Sequence, residues 1–236
     1  GSPHRMIAEL YGRETGCAGG RGGSMHLIDE AAGFMGTSAI VGSSIPVALG
    51  LAMAFKRRGE GKAVVAFFGD AALETGQLYE ALNLAVLWSL PLLFLCENNG
   101  LAVQTELSQR QPSRHFRKVA KAMGMRCAEW CKDDAQVVWR NASWCRAHLP
   151  AYLEVRTSRF YEHVGPNRDW DWGFRSRESV EAAERDDPVA RVRAQLLADG
   201  AATVVKAVEY EVAAVVESAF REAKRAAWPV VAGVEA

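Results

Sequence analysis

The sequence predicts an α/β fold, a mainly parallel sheet covered by helices on both faces, with further helices at the C-terminal end. Three observations carry this. Two short apolar runs, 63–68 and 91–96, have the length of strands. Between them, residues 72–88 place apolar side chains at helical spacing, and a strand–helix–strand crossover of this kind is right-handed and makes its two strands parallel. Strand and helix patterns then keep alternating as far as residue 156, which is how a parallel sheet sandwiched between helices reads.

Taken in order, residues 3–11 predict a short helix that Gly12 ends. The glycine-rich loop 16–23 is too flexible to fold alone and is expected on the surface or at an interface. From Gly42 onward Ile45, Val47, Ala48, Leu49, Leu51, Ala52, Ala54 and Phe55 are apolar on nearly every side. That predicts a buried helix, capped by Ser43 or Ser44, with Pro46 near its first turn and Lys56, Arg57, Arg58 and Gly59 ending it. Strands are expected at 63–68, 91–97, 125–130 and 151–156, and helices at 72–88, 116–123 and 134–148, the last announced by Asp133 and Asp134. Asp187 and Pro188 start a helix through Leu197, and 202–227 form a long amphipathic helix striped by Val205, Val208, Val212, Val215, Val216 and Phe220. The expected division is an α/β domain over 1–180 and a helical extension over 181–236 that packs on the domain or on a partner subunit. There are no internal repeats and no low-complexity tracts.

With 236 residues, 49% of them hydrophobic, the chain can bury a sizeable core. A formal net charge of zero argues against nucleic acid or an anionic membrane as the main partner. No apolar run reaches the roughly 18 residues of a membrane helix, and the opening residues lack a signal-peptide pattern. Five cysteines, odd in number and mostly inside apolar runs, predict reduced thiols and a cytoplasmic location. The spacing of Cys127 and Cys131 suits a strand and its exit better than a zinc site.

Asp70 and Asn99 close the first two strands, so the parallel crossover brings them out at one carboxyl edge of the sheet, where open α/β sheets bind ligands. A carboxylate and a carboxamide are hard oxygen ligands of the kind magnesium takes while holding a phosphate. The main-chain amides of Ala71 and Ala72 open the following helix and can bind an anion there.

Gly69-Asp70-Ala71 followed by Asn98-Asn99 resembles the thiamine diphosphate fingerprint, which usually begins Gly-Asp-Gly. With Gly20-Arg21-Gly22-Gly23-Ser24-Met25-His26, Ile40-Val41-Gly42 and Glu97-Asn98-Asn99-Gly100, the chain resembles one branch of that family from about residue 6 to about residue 193. The branch is the α subunit of the decarboxylating component of 2-oxo acid dehydrogenases, of the pyruvate and acetoin type. The resemblance implies a thiamine diphosphate-binding fold and, specifically, its diphosphate-binding domain. It implies that magnesium is held by Asp70, the side-chain oxygen of Asn99 and the main-chain carbonyl of Leu101, with Ala71 and Ala72 beside the diphosphate. It also implies that Ala39, Ile40 and Val41 grip the aminopyrimidine ring, Val41 propping the cofactor; read without the resemblance, Val41 is an ordinary core strand residue.

By the same resemblance His163 lies on a loop near the diphosphate and acts in acid–base steps and acyl transfer, its near-neutral pKa suiting proton movement. His26 is a second catalytic candidate. The plain alternative for both is a loop histidine satisfied by backbone. The chain departs from the family at Ala71, which is strained only if its φ is positive, and at Ser38, where many relatives carry histidine or asparagine. It departs again at Glu162-His163-Val164-Gly165, where family loops read Gly-His-Ser. Family members carry a further segment before the position of Met6, with a Tyr-Arg pair at the diphosphate, that nothing here matches. Trp170 and Trp172 have no counterpart, and two tryptophans in a loop call for cover by the domain itself or by a partner.

The function implied is transfer of an acyl or two-carbon unit from a 2-oxo acid to a lipoyl group on a lipoylated acyltransferase or carrier domain. The chain shows no second α/β domain, so a β subunit would supply the pyrimidine half of the site and its glutamate, in an α2β2 assembly. Two alternatives stand beside it: a split transketolase-like two-carbon transferase using a ketose donor, and a catalytically silent regulatory subunit. A dinucleotide-binding oxidoreductase is disfavoured because Gly20–Gly23 follow no strand.

Overall fold

A computed structural model describes residues 1–112 and 115–230; the last residues of the expected C-terminal extension, 231–236, lie outside them. In chain order the elements are α1 (Pro3–Leu10), α2 (Ser44–Arg58), β1 (Val64–Gly69), α3 (Gly76–Leu87), β2 (Leu92–Asn98), β3 (Leu101–Ala102), β4 (Thr105–Glu106) and α4 (Leu107–Arg110). They continue with α5 (Phe116–Ala122), β5 (Arg126–Cys127), β6 (Cys131–Lys132), α6 (Ala135–Ala147), β7 (Ala151–Arg156), α7 (Arg177–Arg185), α8 (Pro188–Ala198) and α9 (Ala202–Arg225). Two compact units result, one of residues 1–39 with 193–236, the other of residues 40–192, rather than 1–180 and 181–236.

The unit 40–192 is built on a parallel sheet of order β1-β2-β7-β5, with β6 also paired to β7. On one face Val64, Ala66 and Phe68 of β1 and Leu92, Phe94 and Cys96 of β2 pack against α2 and α3 through Ile45, Leu49, Leu78 and Leu82. On the other, Leu93, Leu95, Leu153 and Val155 pack against Cys145, Val137 and Val138 of α6. Residues Leu92–Cys96 are therefore buried on both faces, which is why β2 is an unbroken apolar run rather than an alternating one. Each fully buried leucine here contributes about 1.5–3 kcal/mol, so the tips of β1 and β2 stand on the most firmly packed part of the chain.

The α/β class and the parallel sheet are as predicted, with local corrections. The second face is bare over the edge strand β1, where Val65 and Phe67 alternate outward (42% and 59% exposed) because α6 reaches only β2, β6 and β7. The strand expected at 125–130 shrinks to Arg126–Cys127, and pairing resumes only at Cys131–Lys132: Arg117 Nε donates to the carbonyl of Ala128 at 2.9 Å and Asn141 Nδ2 to that of Glu129 at 3.1 Å, so these acceptors are lost to the ladder. The helix expected over 72–88 starts as a separate 3-10 turn, Asp70–Glu74, and breaks at extended Thr75 before α3 begins. Ser43 has helical backbone and does not cap α2 with its side chain, whereas Gly59 ends that helix at φ 66. Helix α7 was not foreseen; the Ser176 hydroxyl accepts from the Ser179 amide to start it. The caps at Asp134 and Asp187 are as read, each carboxylate accepting amides of the following turn.

In the other unit α9 packs along α1. The apolar stripe read in the sequence is mostly exposed in this chain: Val208, Val212, Val216 and Phe220 are each 40% or more accessible. Ala219 and Ala223 are buried instead, with Val205. Small side chains let the two backbones approach, and Tyr11 closes the contact edge-to-face on Phe220 at 6.0 Å.

Candidate cofactor site

The register of β1 and β2 pairs Gly69 with Glu97, so Asp70 leaves β1 at the same sheet edge where Asn98 and Asn99 end β2. Asp70 is 1% exposed. Its Oδ2 accepts from Arg110 Nη2 at 2.5 Å, while its Oδ1 is buried with no hydrogen-bond partner among the described residues. Such an orphaned anionic oxygen is costly unless a cation or donor meets it.

The two asparagines fold the chain over this carboxylate by successive side-chain turns. Asn98 Oδ1 accepts from the Gly100 amide at 3.0 Å, and Asn99 Oδ1 from the Leu101 amide at 2.9 Å. Gly100 takes φ 77, which a side chain would resist. Asn98 Nδ2 also donates to Glu154 Oε1 at 2.8 Å, tying the turn back to β7.

Strands β3 and β4 then form a two-residue hairpin in which Ala102 pairs with Thr105 and Leu101 with Glu106. The Leu107 amide donates to the Gly100 carbonyl at 2.8 Å. Because such pairs alternate, the ladder does not use the main-chain groups of Leu101, and its carbonyl is left to another partner. Among the described residues no three His, Cys, Asp or Glu side chains stand together as a metal cluster. The edge offers instead one carboxylate oxygen, one carboxamide and one carbonyl, a set that fits a cation keeping waters and phosphate oxygens in its shell.

Arg110, which sequence reasoning missed, ends α4 and completes this edge. Its Nη2 holds Asp70, its Nη1 holds Glu74 Oε1, and its Nε donates to the Thr105 carbonyl at 3.2 Å. Gln111 Nε2 adds a 2.8 Å bond to the same Glu74 oxygen.

Ala71 and Ala72 open a 3-10 turn of five residues, not an α-helix, so the expected helix-terminus anion site is reduced to a short turn. Ala71 carries no strain: among the described residues only Ser89 and Val103 are non-glycine residues with positive φ. Val41 is 59% exposed and lies in no strand, which removes the core-strand reading. Its carbonyl accepts from Gln77 Nε2 at 3.2 Å, placing the segment against the start of α3. Ala39, in the other unit, is exposed.

The loop after β7 carries His163 and is fastened to the same edge. The Thr157 amide donates to the Asn98 carbonyl at 3.0 Å, and Arg159 Nη1 to the Val103 carbonyl at 2.7 Å. Buried Asp169 clamps the loop between Arg159 (2.8 Å) and Arg175. Burial opposes ionisation of Asp169, but the hydrogen bonds and charges of Arg175 and Arg159 prevail and hold its carboxyl below the usual range. Within the loop a tight turn closes through Glu162 and Asn167, and His163 sits on it, exposed and with no hydrogen bond among the described residues. It is therefore not a histidine satisfied by backbone. Trp170 is covered from its own unit by the guanidinium groups of Arg168 and Arg177, at 5.7 and 5.6 Å, whereas Trp172 remains 49% exposed. A cavity of about 530 Å³ opens beside the shelf that Asp70, Asn99 and Leu101 form at this sheet edge, lined by Asn99, Leu101, Leu107, Phe174, Arg175 and Ser176 among others.

His26, in the other unit, is exposed and makes no hydrogen bond among the described residues. It follows a glycine loop built around Glu9, a second residue that sequence reasoning missed. The Glu9 carboxylate, 0% exposed, accepts the amides of Ala18 and Gly20 on Oε2 and of Gly22 and Gly23 on Oε1. Burial raises its pKa, yet the bonds from Gly20, Ala18, Gly22 and Gly23 outweigh this and hold it below 4.5.

Comparison with known proteins finds relatives of this chain. The family described as "Dehydrogenase E1 component" matches residues 1–231. The pyruvate dehydrogenase E1 component subunit alpha of Rickettsia felis is 33% identical over 234 residues, covering 96% of this chain and 71% of that protein. That of Rickettsia typhi is 34% identical over the same shares. The mitochondrial subunit alpha of Solanum tuberosum is 35% identical over 231 residues, 94% of this chain and 58% of its own length.

Proposed function

The chain belongs to the dehydrogenase E1 component family, and from that membership and the Asp70 shelf we propose that it is the α subunit of a thiamine diphosphate-dependent 2-oxo acid dehydrogenase that holds the cofactor's diphosphate through magnesium. The observation that carries the reading is the buried Asp70 Oδ1, without a hydrogen-bond partner among the described residues, at the sheet edge where the adjoining strand ends in the turn of Asn99 and Leu101. Asp70, the Asn99 side-chain oxygen and the Leu101 carbonyl would hold the ion, and diphosphate oxygens and water would fill its shell.

Bound there, thiamine diphosphate supplies the carbon nucleophile that a 2-oxo acid needs for decarboxylation. The chain's own residues bind and orient it. Exposed Val41, with Ile40, offers apolar and main-chain groups for the ring portion. His163, exposed and with no hydrogen bond among the described residues, can hold or deliver a proton at the reacting end. A β subunit supplies the remaining half of the site, and a lipoyl group on a carrier domain takes the acyl unit. The assembly operates in the cytoplasm on a small 2-oxo acid.

The test is calorimetry on the protein isolated with the partner chain it retains. Thiamine diphosphate should bind only with magnesium present, and Asp70→Asn should weaken binding at least 100-fold while leaving the folded state intact. Equal binding by Asp70→Asn and the unchanged chain would overturn the proposal. Mass spectrometry of the same preparation should find a β-type chain.

A further inference from the structure

We propose that Arg110 makes the Asp70 shelf selective for a divalent cation arriving with a diphosphate, and discriminates against the bare cation. The inference rests on the functional reading above and assigns to Arg110 the positioning and charge-selecting role within it.

The argument starts from where Arg110 is held. The hairpin β3–β4 and the short α4 turn the chain back, so that the segment contributing Asn99 and Leu101 also delivers Arg110 to Asp70. The guanidinium side chain is 9% exposed, and its Nε, Nη1 and Nη2 each hold one acceptor: the Thr105 carbonyl, Glu74 and Asp70. An arginine so fixed does not swing away readily, because Glu74 is itself held by Gln111. The charges are then two carboxylates, Asp70 and Glu74, against one guanidinium. A dication approaching Oδ1 meets a carboxylate whose other oxygen is already neutralised, with a fixed positive charge across the same carboxyl group. That repulsion is strong where water is largely excluded.

A diphosphate carried with the ion reverses the sign. A guanidinium has five N–H groups, and three here are engaged by the contacts just named. The remaining two are available to a phosphate's oxygens, which a planar guanidinium suits. The same residue thus opposes the cation alone and favours the pair, which appears in solution as coupling between the two ligands. Such coupling is reciprocal: the diphosphate must tighten the metal by the factor by which the metal tightens the diphosphate.

The experiment is electron paramagnetic resonance titration of Mn2+ into the chelator-stripped protein, isolated with whatever partner chain it retains. It is done alone, with inorganic pyrophosphate and with thiamine diphosphate. The unchanged protein should bind bare Mn2+ weakly and tighten strongly with either diphosphate. Arg110→Gln should bind bare Mn2+ about 10-fold more tightly and the metal–diphosphate pair about 10-fold more weakly, so that the coupling factor falls about 100-fold. Arg110→Lys keeps the charge and loses the fork, so bare Mn2+ affinity should stay within twofold while coupling falls about 10-fold; it also carries the test if the glutamine variant does not fold. Coupling unchanged within twofold in a folded variant overturns the inference and leaves the functional reading standing. Absence of any diphosphate-dependent Mn2+ binding in the unchanged protein overturns both.

Discussion

Glu9 allows the sharpest test of how the glycine loop before His26 is held. In the folded chain one carboxylate satisfies four amides, two on each oxygen. Glu9→Gln keeps one acceptor oxygen and turns the other into an amide group that faces two N–H donors. Each buried donor left without a partner costs about 1–3 kcal/mol. Gly22 and Gly23 are only half-buried, and water can replace part of what they lose. The expected loss is therefore about 3 kcal/mol, which for a chain of this size lowers Tm by roughly 6–12 °C. Equilibrium urea unfolding gives the direct measurement, with m unchanged and the midpoint moved. The pH dependence has a definite sign. The folded carboxyl titrates below its ordinary value of 4.5, so its contribution is complete above that value and lost as pH falls through the lower, folded one. The gap between Glu9→Gln and the unchanged chain should thus be constant from pH 8 to 6 and shrink below pH 4.5. A loss under about 1 kcal/mol, the net worth of a single ordinary hydrogen bond, or a gap indifferent to acid, refutes the account.

Other expectations follow the same physics. Asp169→Asn leaves Arg159 and Arg175 facing no charge at the base of the His163 loop, and should cost about 2–4 kcal/mol and speed limited proteolysis within 157–175; since the folded carboxyl lies below 3.8, the difference should be full at neutral pH and fade only as pH drops under that value. Val103 holds φ 55 beside the shelf, an uncommon state for a β-branched residue, so Val103→Gly should stabilise the chain by about 1 kcal/mol in urea unfolding. Leu82→Ala, at a position with 0% exposure between α3 and the sheet, should lose about 2–5 kcal/mol. Burial pushes the Cys127 and Cys145 thiols up to about 11, so at pH 8 a thiol reagent should label half-buried Cys17 in native protein and reach those two only on unfolding, as mass mapping would show.

What the sequence made legible was whatever depends on local pattern. β7 lies where it was read because Ala151–Val155 are buried throughout, and Asp134 and Asp187 announce helices by chemistry confined to one turn. The Asp70–Asn99 convergence could be read because the handedness of a crossover is general. What escaped depends on partners far along the chain. The carbonyls of Ala128 and Glu129 are claimed by Arg117 and Asn141, and no periodicity in 125–130 encodes that theft. The valines of α9 mark an apolar stripe, but which residues meet α1 depends on close packing, which takes Ala219 and Ala223. Arg110 reaches Asp70 only through the hairpin, so spacing did not reveal it. Glu9 does leave a signal in the sequence: an acid seven residues before a glycine run, whose unpaired amides need an acceptor.

The arrangement around Asp70 also constrains what kind of ligand the edge can take. Ile40 and Val41, 72% and 59% exposed, lie beside the start of α3, which follows directly on the turn Asp70–Glu74. A partner protein that needed only apolar contact would cover those two side chains and leave Asp70 Oδ1 unpaired in a place water does not reach, at a continuing cost. A free inorganic ion would satisfy Asp70 and leave the apolar pair in water. A ligand with an anionic, metal-binding tail and an aromatic head settles both together, and does so on a turn whose position is fixed by β2, buried on both faces beneath it. That joint requirement is why the orphaned oxygen and the exposed valine, each unremarkable alone, support a cofactor rather than a structural ion or a docking surface.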